Sequence, residues 1–352
     1  MQFIVGYKIT EDERFLRYII DHSENISEVY FSWRSMKNGR NDQLKSEGLN
    51  PLYAEKMQEE DLKKLSDAGI SLNLLLNGNC YGVDSQSRSF FEEVGNTVDY
   101  LLENYNLTSV TASSMLIAKF IKDNFSDLPV RASVNIGVGT PEAADYLSEY
   151  FDGFYLKREF NRNFDAIKKM RSYCDDNGKK LYMLANSGCF SDCPARTFHD
   201  NLVSHEKEIS GMDNAYNFEG ICHEYLKGGK NLLTLIKDSN YVRPEDIYLY
   251  DGLFDGIKLA TRQNPFPIRI MHAYITGKFY GSVTNLTEPD HSASLGDYIL
   301  DNALFPEDFG KKVASCNKDC KNCNYCKTVL DKVLKKKEED GEILFLDDSN
   351  NL

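Results

Sequence analysis

Short apolar runs alternate with amphipathic stretches along the first 262 residues of the chain. The runs are rich in Val, Ile, Leu, Phe and Tyr, which is the pattern of strands covered on both faces. The predicted strands span residues 2–7, 28–33, 71–77, 109–112, 130–135, 153–157, 180–185 and 256–260. Amphipathic periodicity predicts helices between them, at residues 11–21, 89–104, 114–124, 141–150 and 165–174.

Eight strands in βα alternation predict an α/β fold of the closed (β/α)8 barrel type, with an open doubly wound sheet as the alternative. A short sequence that occurs twice favours the barrel. Phe-Asp-Gly precedes the strands at 153 and at 256, and each strand is followed by a basic residue, Arg158 and Arg262 respectively. Barrel active sites are built at that carboxyl end. The simpler interpretation is that Phe-Asp-Gly is a good turn sequence.

The alternation is interrupted at about residues 186–253, where a cysteine-containing insertion follows the seventh strand. A loop of that length inside a barrel is usually functional. We therefore predict a barrel over residues 1–280 and a C-terminal extension over 281–352. The extension reads as an irregular linker (281–312), a cysteine-rich knot, a charged helix (327–339) and a partly disordered acidic tail (340–352).

The amino-acid composition limits the classes of binding partner that we expect. The 352 residues contain 41 Lys and Arg against 54 Asp and Glu, a formal net charge of −13, which disfavours extended nucleic acid. No run of 18 apolar residues predicts a membrane helix, and the first residues lack a signal-peptide pattern, so we expect a cytoplasmic protein without a membrane partner. In a reducing cytoplasm, nine cysteines indicate metal binding or catalysis before disulfides.

Four of the cysteines form a C-x3-C-x2-C-x2-C run, Cys316, Cys320, Cys323 and Cys326. Such closely spaced thiolates favour a 4Fe–4S cluster, because structural zinc more often uses two C-x2-C pairs a dozen residues apart. Zinc and no metal remain the alternatives. The first three cysteines also share the C-x3-C-x2-C spacing of radical S-adenosylmethionine enzymes. That motif follows the first barrel strand with an aromatic residue before its third cysteine, whereas this run lies beyond the barrel with Asn322 there.

A second group of cysteines surrounds the predicted barrel mouth. Cys189 and Cys193 form a C-x3-C pair after the seventh strand, with Cys222 as a third ligand and Cys80, after the third strand, as a fourth. Together they predict a second iron–sulfur site. The alternative is that they are buried thiols, which pack as small apolar residues. Cys174, near the end of a predicted helix, is read as structural.

Polar candidates lie at the same end of the barrel. Arg158, Lys258 and Arg262 could bind an anionic substrate, or form structural salt bridges with Glu159 and Asp255. His205, followed by Glu206, could transfer protons. Asparagines near strand ends could contact a polar ligand or satisfy their own turns, namely Asn77, Asn79, Asn135 and Asn186.

The loop with Cys189 and Cys193, together with Asp255-Gly-Ile-Lys258-Leu-Ala-Thr-Arg262, resembles the collagenase-like peptidase family of unknown catalytic type, the U32 group. The family's late motif is D-x-L-K-I-E-G-R, and Arg158 is similar to its basic residue after strand six. The resemblance implies a (β/α)8 barrel that binds a 4Fe–4S cluster through four cysteines. Several members support oxygen-independent hydroxylation of ubiquinone precursors or RNA bases.

The chain also departs from the family pattern. Ala260 replaces the acidic residue of the late motif, the downstream cysteine pair is reduced to Cys222, and the Cys316–Cys326 knot is an addition. We therefore expect a divergent member, an iron–sulfur oxidoreductase of the anaerobic hydroxylase type that acts on a small molecule or peptide, with an electron-donor protein as partner. The alternatives are a peptidase or other metal-dependent hydrolase, and a non-catalytic binding protein whose cysteines hold structural metal ions.

Overall fold

Eight parallel strands close into a barrel in this computed structural model, which describes residues 1–10, 12–34, 36–37, 50–209, 212–213, 218 and 220–337. The strands are β1 (Phe3–Gly6), β2 (Ile26–Phe31), β3 (Ser71–Leu76), β4 (Leu107–Ala112), β5 (Val130–Ala132), β6 (Gly153–Tyr155), β7 (Lys180–Leu184) and β8 (Gly256–Leu259). β1 pairs with β8 through Phe3 opposite Ile257 and Val5 opposite Leu259, which closes the ring. The predicted (β/α)8 barrel is confirmed.

Helices cover the outside of the barrel and fill the insertion and the extension. They are α1 (Arg14–Asp21), α2 (Pro51–Asp67), α3 (Arg88–Asn104), α4 (Met115–Asn124), α5 (Pro141–Asp145), α6 (Phe164–Asp176), α7 (Arg196–Val203), α8 (Glu206–Ile209), α9 (Ile221–Leu226), α10 (Thr234–Lys237), α11 (Pro267–Thr276), α12 (Phe309–Ala314) and α13 (Tyr325–Val333). Side-chain caps fix several starts, since Ser87, Ser114 and Asn163 each accept a backbone N–H of the first turn.

The extension departs from its predicted layout. The linker expected to be irregular contains β9 (Tyr298–Leu300), and the helix expected at 327–339 ends at Val333. Leu334–Lys336 then forms β10, antiparallel to β9. Residues 334–336 therefore pair with β9 instead of continuing the helix, because the backbone hydrogen bonds to β9 outweigh their helical periodicity. Residues 338–352, including the predicted tail, lie outside the described chain, as does Glu11 of the first predicted helix.

The barrel interior holds a buried ion pair as well as apolar side chains. The Nη1 and Nη2 atoms of Arg131 each donate to one carboxylate oxygen of Glu28, both at 2.7 Å. The Arg131 guanidinium lies 4.3 Å from the ring centroid of Tyr182, which belongs to an inner cluster with Ile4, Tyr30, Leu75 and Tyr155. Alternation along each strand sends these residues inward and the larger apolar set outward to the helices.

A second apolar core joins the insertion to the extension. Phe190, Leu235 and Tyr241 of the insertion pack with Phe309 and Leu330 of the extension. The stretch between β7 and β8 is therefore held from both sides, by the barrel rim and by the C-terminal helices. No helix within the described residues is long and apolar enough to cross a membrane.

Candidate functional site

A cavity of about 440 Å³ opens where the insertion leaves β7. Its lining brings together three of the predicted cysteine ligands, Cys189, Cys193 and Cys222, with Arg158 and His199. The described residues that line the cavity do not include Cys80, which follows β3 and is partly exposed. The rest of the wall is largely apolar, with Phe190, Ile221 and Tyr225 among its residues.

Arg158 is the buried cation of this cavity, with 5% of its surface exposed. Its Nη1 donates to the Cys189 Sγ at 3.4 Å and its Nη2 to the Asn135 Oδ1 at 2.7 Å. Asn135 in turn donates to the Asn79 Oδ1 at 3.1 Å, so the ends of β3, β5 and β6 converge on the guanidinium. The Nε of Arg158 is buried and has no hydrogen-bond partner in the described chain.

Arg196 adds a second guanidinium near the same wall. It forms an ion pair with Glu159 and donates through Nη2 to the Phe190 carbonyl at 3.0 Å. Burial and the neighbouring Arg158 lower the pKa of Arg196 to about 10, which leaves it charged at neutral pH. The predicted alternative, an Arg158–Glu159 salt bridge, is replaced by Arg196–Glu159 because Arg158 is turned towards Cys189.

The Cys189 loop is clamped by distant segments. The Asn240 side chain donates to the Cys189 carbonyl at 2.7 Å, and the His291 Nε2 lies 3.0 Å from the Gly188 carbonyl. The His291 ring stacks on Phe190 with centroids 5.0 Å apart. The Gly188 N–H donates to the Glu288 carbonyl at 2.9 Å. The backbone of residues 188 and 189 is thus fixed by these contacts, which sets the position of the Cys189 side chain.

Replacing Gly188 by alanine is expected to displace this loop. A Cβ at position 188 would lie 2.2 Å from the Pro289 carbonyl oxygen. The chain segments around Gly188 and Pro289 must therefore move apart. We expect a loss of about 1–3 kcal/mol in the free energy of unfolding, as for overpacking elsewhere, measured by urea denaturation.

The control for that variant is Gly95→Ala in helix α3, where a Cβ would meet only the tip of the Phe120 ring at 3.3 Å. There alanine should leave stability unchanged or raise it, because glycine is unfavourable inside a helix. Equal stability of Gly188→Ala and the wild type would contradict the clamp.

The thiols of the cavity are close enough to affect one another. Burial raises the pKa of the Cys222 thiol, and Cys189 and Cys193 act in the same direction. Nevertheless, within the described residues no three Cys, His, Asp or Glu side chains are arranged to share a single metal ion. The donors that the cavity offers are thiol sulfurs, which are the ligands that iron–sulfur clusters use.

Lys258 occupies the barrel axis beside this rim. Its Nζ lies 3.6 Å from the ring centroid of Tyr30 and 5.2 Å from that of Tyr155. Burial, followed by repulsion from Arg262, lowers the pKa of Lys258 to about 7, although Glu28 and Glu288 oppose that shift. A lysine whose pKa lies near neutral can exchange its proton at physiological pH, unlike an ordinary lysine.

Arg262 and Asp255 lie at opposite ends of β8. Arg262 is buried, 5.7 Å from the Tyr30 ring centroid, and packs so closely on β1 that a Cβ at Gly6 would lie 2.6 Å from its Cγ. Asp255 accepts instead from Arg171 at 2.6 Å and from Lys180 at 3.0 Å, near the start of β7. Asp255 is therefore a fold residue at the amino end, whereas Lys258 and Arg262 approach the mouth.

His205 lies apart from the residues that line the cavity. Its Nδ1 is 3.8 Å from a carboxylate oxygen of Glu208, which also pairs with Lys37. His199, six residues earlier in the chain, lines the cavity instead. Cys174 is fully buried in helix α6, and burial raises the pKa of its thiol to about 11, in accord with the structural role predicted for it.

The C-terminal cysteines form a separate group. Cys316, Cys320 and Cys323 are exposed, and Cys326 is half-buried at the start of α13. Burial raises the pKa of the Cys326 thiol, Arg162 opposes the shift, and the other three thiols reinforce it. All four thiols therefore lie near one another, as their spacing predicts.

Sequence reasoning missed three residues that build the cavity, Arg196, Asn240 and His291. Arg196 stands close after Cys193, and a basic residue within a cysteine loop was a usable signal. Asn240 and His291 act on the loop from 51 and 103 residues away, and each lies in a stretch without regular periodicity. Only the folded chain shows those contacts.

Comparison with known proteins identifies the family. A scan against models of protein families finds no match. The uncharacterized protease MJ1657 of Methanocaldococcus jannaschii is 31% identical over 247 residues, which cover 67% of this chain and 69% of that protein. The solved structure of the U32 peptidase Mk0906 aligns over 73% of this chain and 92% of its own, with a TM-score of 0.52 and 18% identity, which shows a shared fold. The chain therefore belongs to the U32 collagenase-like peptidase family.

Proposed function

We propose that this protein is a redox enzyme that holds an iron–sulfur cluster through Cys189, Cys193 and Cys222 and oxidises an anionic small molecule or peptide at the barrel mouth. One observation carries the proposal: the three thiols line a single cavity together with a buried guanidinium that donates to one of them. Cluster potentials depend on such hydrogen bonds to sulfur and on local charge.

Arg158 would have two roles. Its Nη1 stabilises the negative charge on the Cys189 sulfur, and the positive charge of the guanidinium attracts an anionic group of the substrate. Asn135 fixes the guanidinium plane through the 2.7 Å hydrogen bond to Nη2. The position of the cation is therefore set before a substrate binds, which lowers the entropic cost of binding.

The apolar wall limits what the substrate is. Ile221 and Tyr225 line the cavity while about half of each side chain remains exposed. A ligand that joins a charged group to an apolar body would place the charge at Arg158 and cover these side chains. A cavity of about 440 Å³ suits a small molecule or a short peptide segment.

Lys258 would accept a proton from the bound substrate. The backbone that carries Glu288 holds Gly188, and the charge of Glu288 also acts on Lys258, so the amine and the cysteine loop share one rim of the barrel. Hydroxylation without molecular oxygen takes its oxygen atom from water: R–H and H2O give R–OH, two protons and two electrons. A bound cluster supplies a one-electron acceptor for that chemistry. The electrons then leave to an electron-carrier protein.

A serine variant of all three cavity cysteines tests the proposal. Anaerobically purified wild type should absorb near ~400 nm, and the triple variant should lose about four irons per chain, the content of one cluster. Cys174→Ser, a change at a cysteine buried in α6, should keep its iron and so controls for general thiol loss. Equal iron in the wild type and the triple variant would contradict the cluster.

A peptidase is the second candidate, because the relative in M. jannaschii and the aligned structure are both named as such. Gelatin and casein digestion by the wild type and by Cys189→Ser separates the two proposals. Cleavage by the wild type that is lost in the variant would favour a cysteine-dependent hydrolase. Absence of cleavage by iron-loaded protein would favour the redox enzyme.

A further inference from the structure

The C-terminal knot, the segment from Cys316 to Cys326, contains a tight turn next to the first of its sulfurs. The backbone N–H of Lys318 donates to the Cys316 Sγ at 3.4 Å, and the N–H of Cys320 donates to the Lys318 carbonyl at 2.8 Å. Lys318 has a φ of 60°, a left-handed conformation that a side chain such as lysine rarely adopts. Strained backbone and N–H···S hydrogen bonds recur where chains bind metal clusters.

The knot rests on a helix that also faces the barrel cavity. The Lys318 Nζ donates to the Lys237 carbonyl at 3.1 Å, at the end of α10, and α13 packs on the same helix. On the other side, Thr234 and Asp238 belong to the lining of the cavity that holds the three cysteines. One short helix therefore separates the two cysteine groups, and a helix with its side chains is about 10–12 Å across.

Arg162 ties this junction together. Its Nη1 donates to the Ile236 carbonyl at 2.8 Å, and its Nε and Nη2 both donate to the Tyr241 carbonyl, at 3.0 and 2.8 Å. The guanidinium also lies 5.6 Å from the ring centroid of Phe309 in α12. The segment on which the knot rests is thus held by Arg162, and three of the four cysteines of the knot are exposed to solvent.

We propose that Cys316, Cys320, Cys323 and Cys326 bind a second iron–sulfur cluster, which exchanges single electrons between an external one-electron carrier protein and the barrel cavity. The relay role rests on the proposed function of the cavity, whereas the metal site does not. Each electron that leaves the cavity reduces the knot, and the carrier then reoxidises it, so that two such transfers balance one substrate oxidation.

Iron is favoured over zinc at the knot by the spacing of its cysteines. Four thiolates within one short run are typical of cluster-binding segments, whereas structural zinc more often uses two C-x2-C pairs a dozen or more residues apart. The exposure of Cys316, Cys320 and Cys323 suits exchange of electrons with a partner at the surface.

The test uses the full-length protein and the Cys320→Ser/Cys323→Ser variant, whose changed side chains are exposed and outside both apolar cores. Wild type should contain about eight irons per chain and the variant about four, because each cluster holds four. Electron paramagnetic resonance after dithionite reduction should show spectra broadened by coupling between two clusters in the wild type, and a single sharpened signal in the variant. Urea denaturation confirms that the variant is folded.

Three outcomes would overturn the proposal: equal iron in the wild type and the knot variant, zinc at the knot, or two signals without mutual broadening, which would remove the relay. The barrel triple variant, Cys189→Ser/Cys193→Ser/Cys222→Ser, distinguishes this failure from failure of the proposed function. It should keep the knot's iron. If the triple variant loses no iron while the knot variant loses all of it, the cluster at the knot is supported and the cluster in the cavity is contradicted.

Discussion

The stability of the wild type relative to that of Lys258→Met should rise as the pH is raised from 7 towards 10. The ordinary pKa of lysine in an unfolded chain is about 10.4. In the folded chain burial lowers the pKa of Lys258 to about 7. Between these values the unfolded chain binds a proton that the folded chain does not, so raising the pH favours folding. Below pH 7 both states are protonated, and the buried ammonium destabilises the fold.

We expect the difference between the wild type and Lys258→Met to change by roughly 2–4 kcal/mol across that range, since one pKa unit corresponds to about 1.4 kcal/mol. Urea denaturation at pH 6, 7, 8, 9 and 10 measures it. Lys278→Met provides the matched control, because Lys278 is an exposed lysine near the Tyr280 ring. Parallel stability profiles for wild type and Lys258→Met would show that the amine is charged throughout, and Lys258 could not then act as the proton acceptor.

Glu28→Gln should destabilise the barrel by about 3–5 kcal/mol, as is usual when one partner of a buried ion pair is removed. Arg131 and Glu28 expose 11% and 5% of their side chains, so water cannot replace the lost carboxylate charge. Arg131 would remain protonated against the Tyr182 ring without the carboxylate, because the ordinary pKa of a guanidinium lies far above neutral pH. Guanidinium chloride or thermal unfolding at pH 7 measures the loss.

The matched control is Glu60→Gln, which removes an exposed carboxylate that pairs with Lys56 at 3.6 Å. Its unfolding midpoint should stay at the wild-type value, because exposed pairs contribute little. A double variant, Glu28→Leu/Arg131→Met, should recover much of the stability, since an apolar pair needs no compensating charge. An unchanged midpoint for Glu28→Gln would mean that the pair is not buried as described.

The barrel could be predicted because its signal is repeated. Each of the eight strands carries its own apolar run, and errors at single strands do not alter the alternation. The ends were less predictable. The apolar pattern predicts that the fifth strand continues to residue 135, but Ser133 accepts the backbone N–H of Asn135 and starts a tight turn there. That local capping competes with strand pairing and brings Asn135 to Arg158.

The candidate site was predictable in its parts but not in its contacts. Cys189 and Arg158 were each visible as residues that follow a strand, and parallel strands bring such residues to one rim. Their direct contact depends on side-chain direction, which one sequence does not record. His291 was not predictable at all, because its role depends on a fold-back of the extension onto Gly188. Proton transfer was assigned to His205, yet His199 is the histidine that lines the cavity.

The C-terminal knot was the reverse case. Its spacing was the clearest motif of the chain, but the sequence did not indicate where it would lie. The contact between Lys318 and Lys237 places it against α10, next to the barrel cavity. The knot lies there because the second apolar core joins its neighbouring helix to α10. Leu235 of α10 and Leu330 of α13 both belong to that core. Long-range packing of this kind has no local signature.

The most direct test of the account is the metal content of the cavity itself. The protein should be purified strictly without oxygen, and iron, acid-labile sulfide and zinc should be measured, with Mössbauer spectroscopy of the iron, in the Cys320→Ser/Cys323→Ser background. We expect about four irons and about four sulfides per chain, with the spectrum of one 4Fe–4S cluster. Zinc without sulfide, or no metal that depends on Cys189, Cys193 and Cys222, would contradict it.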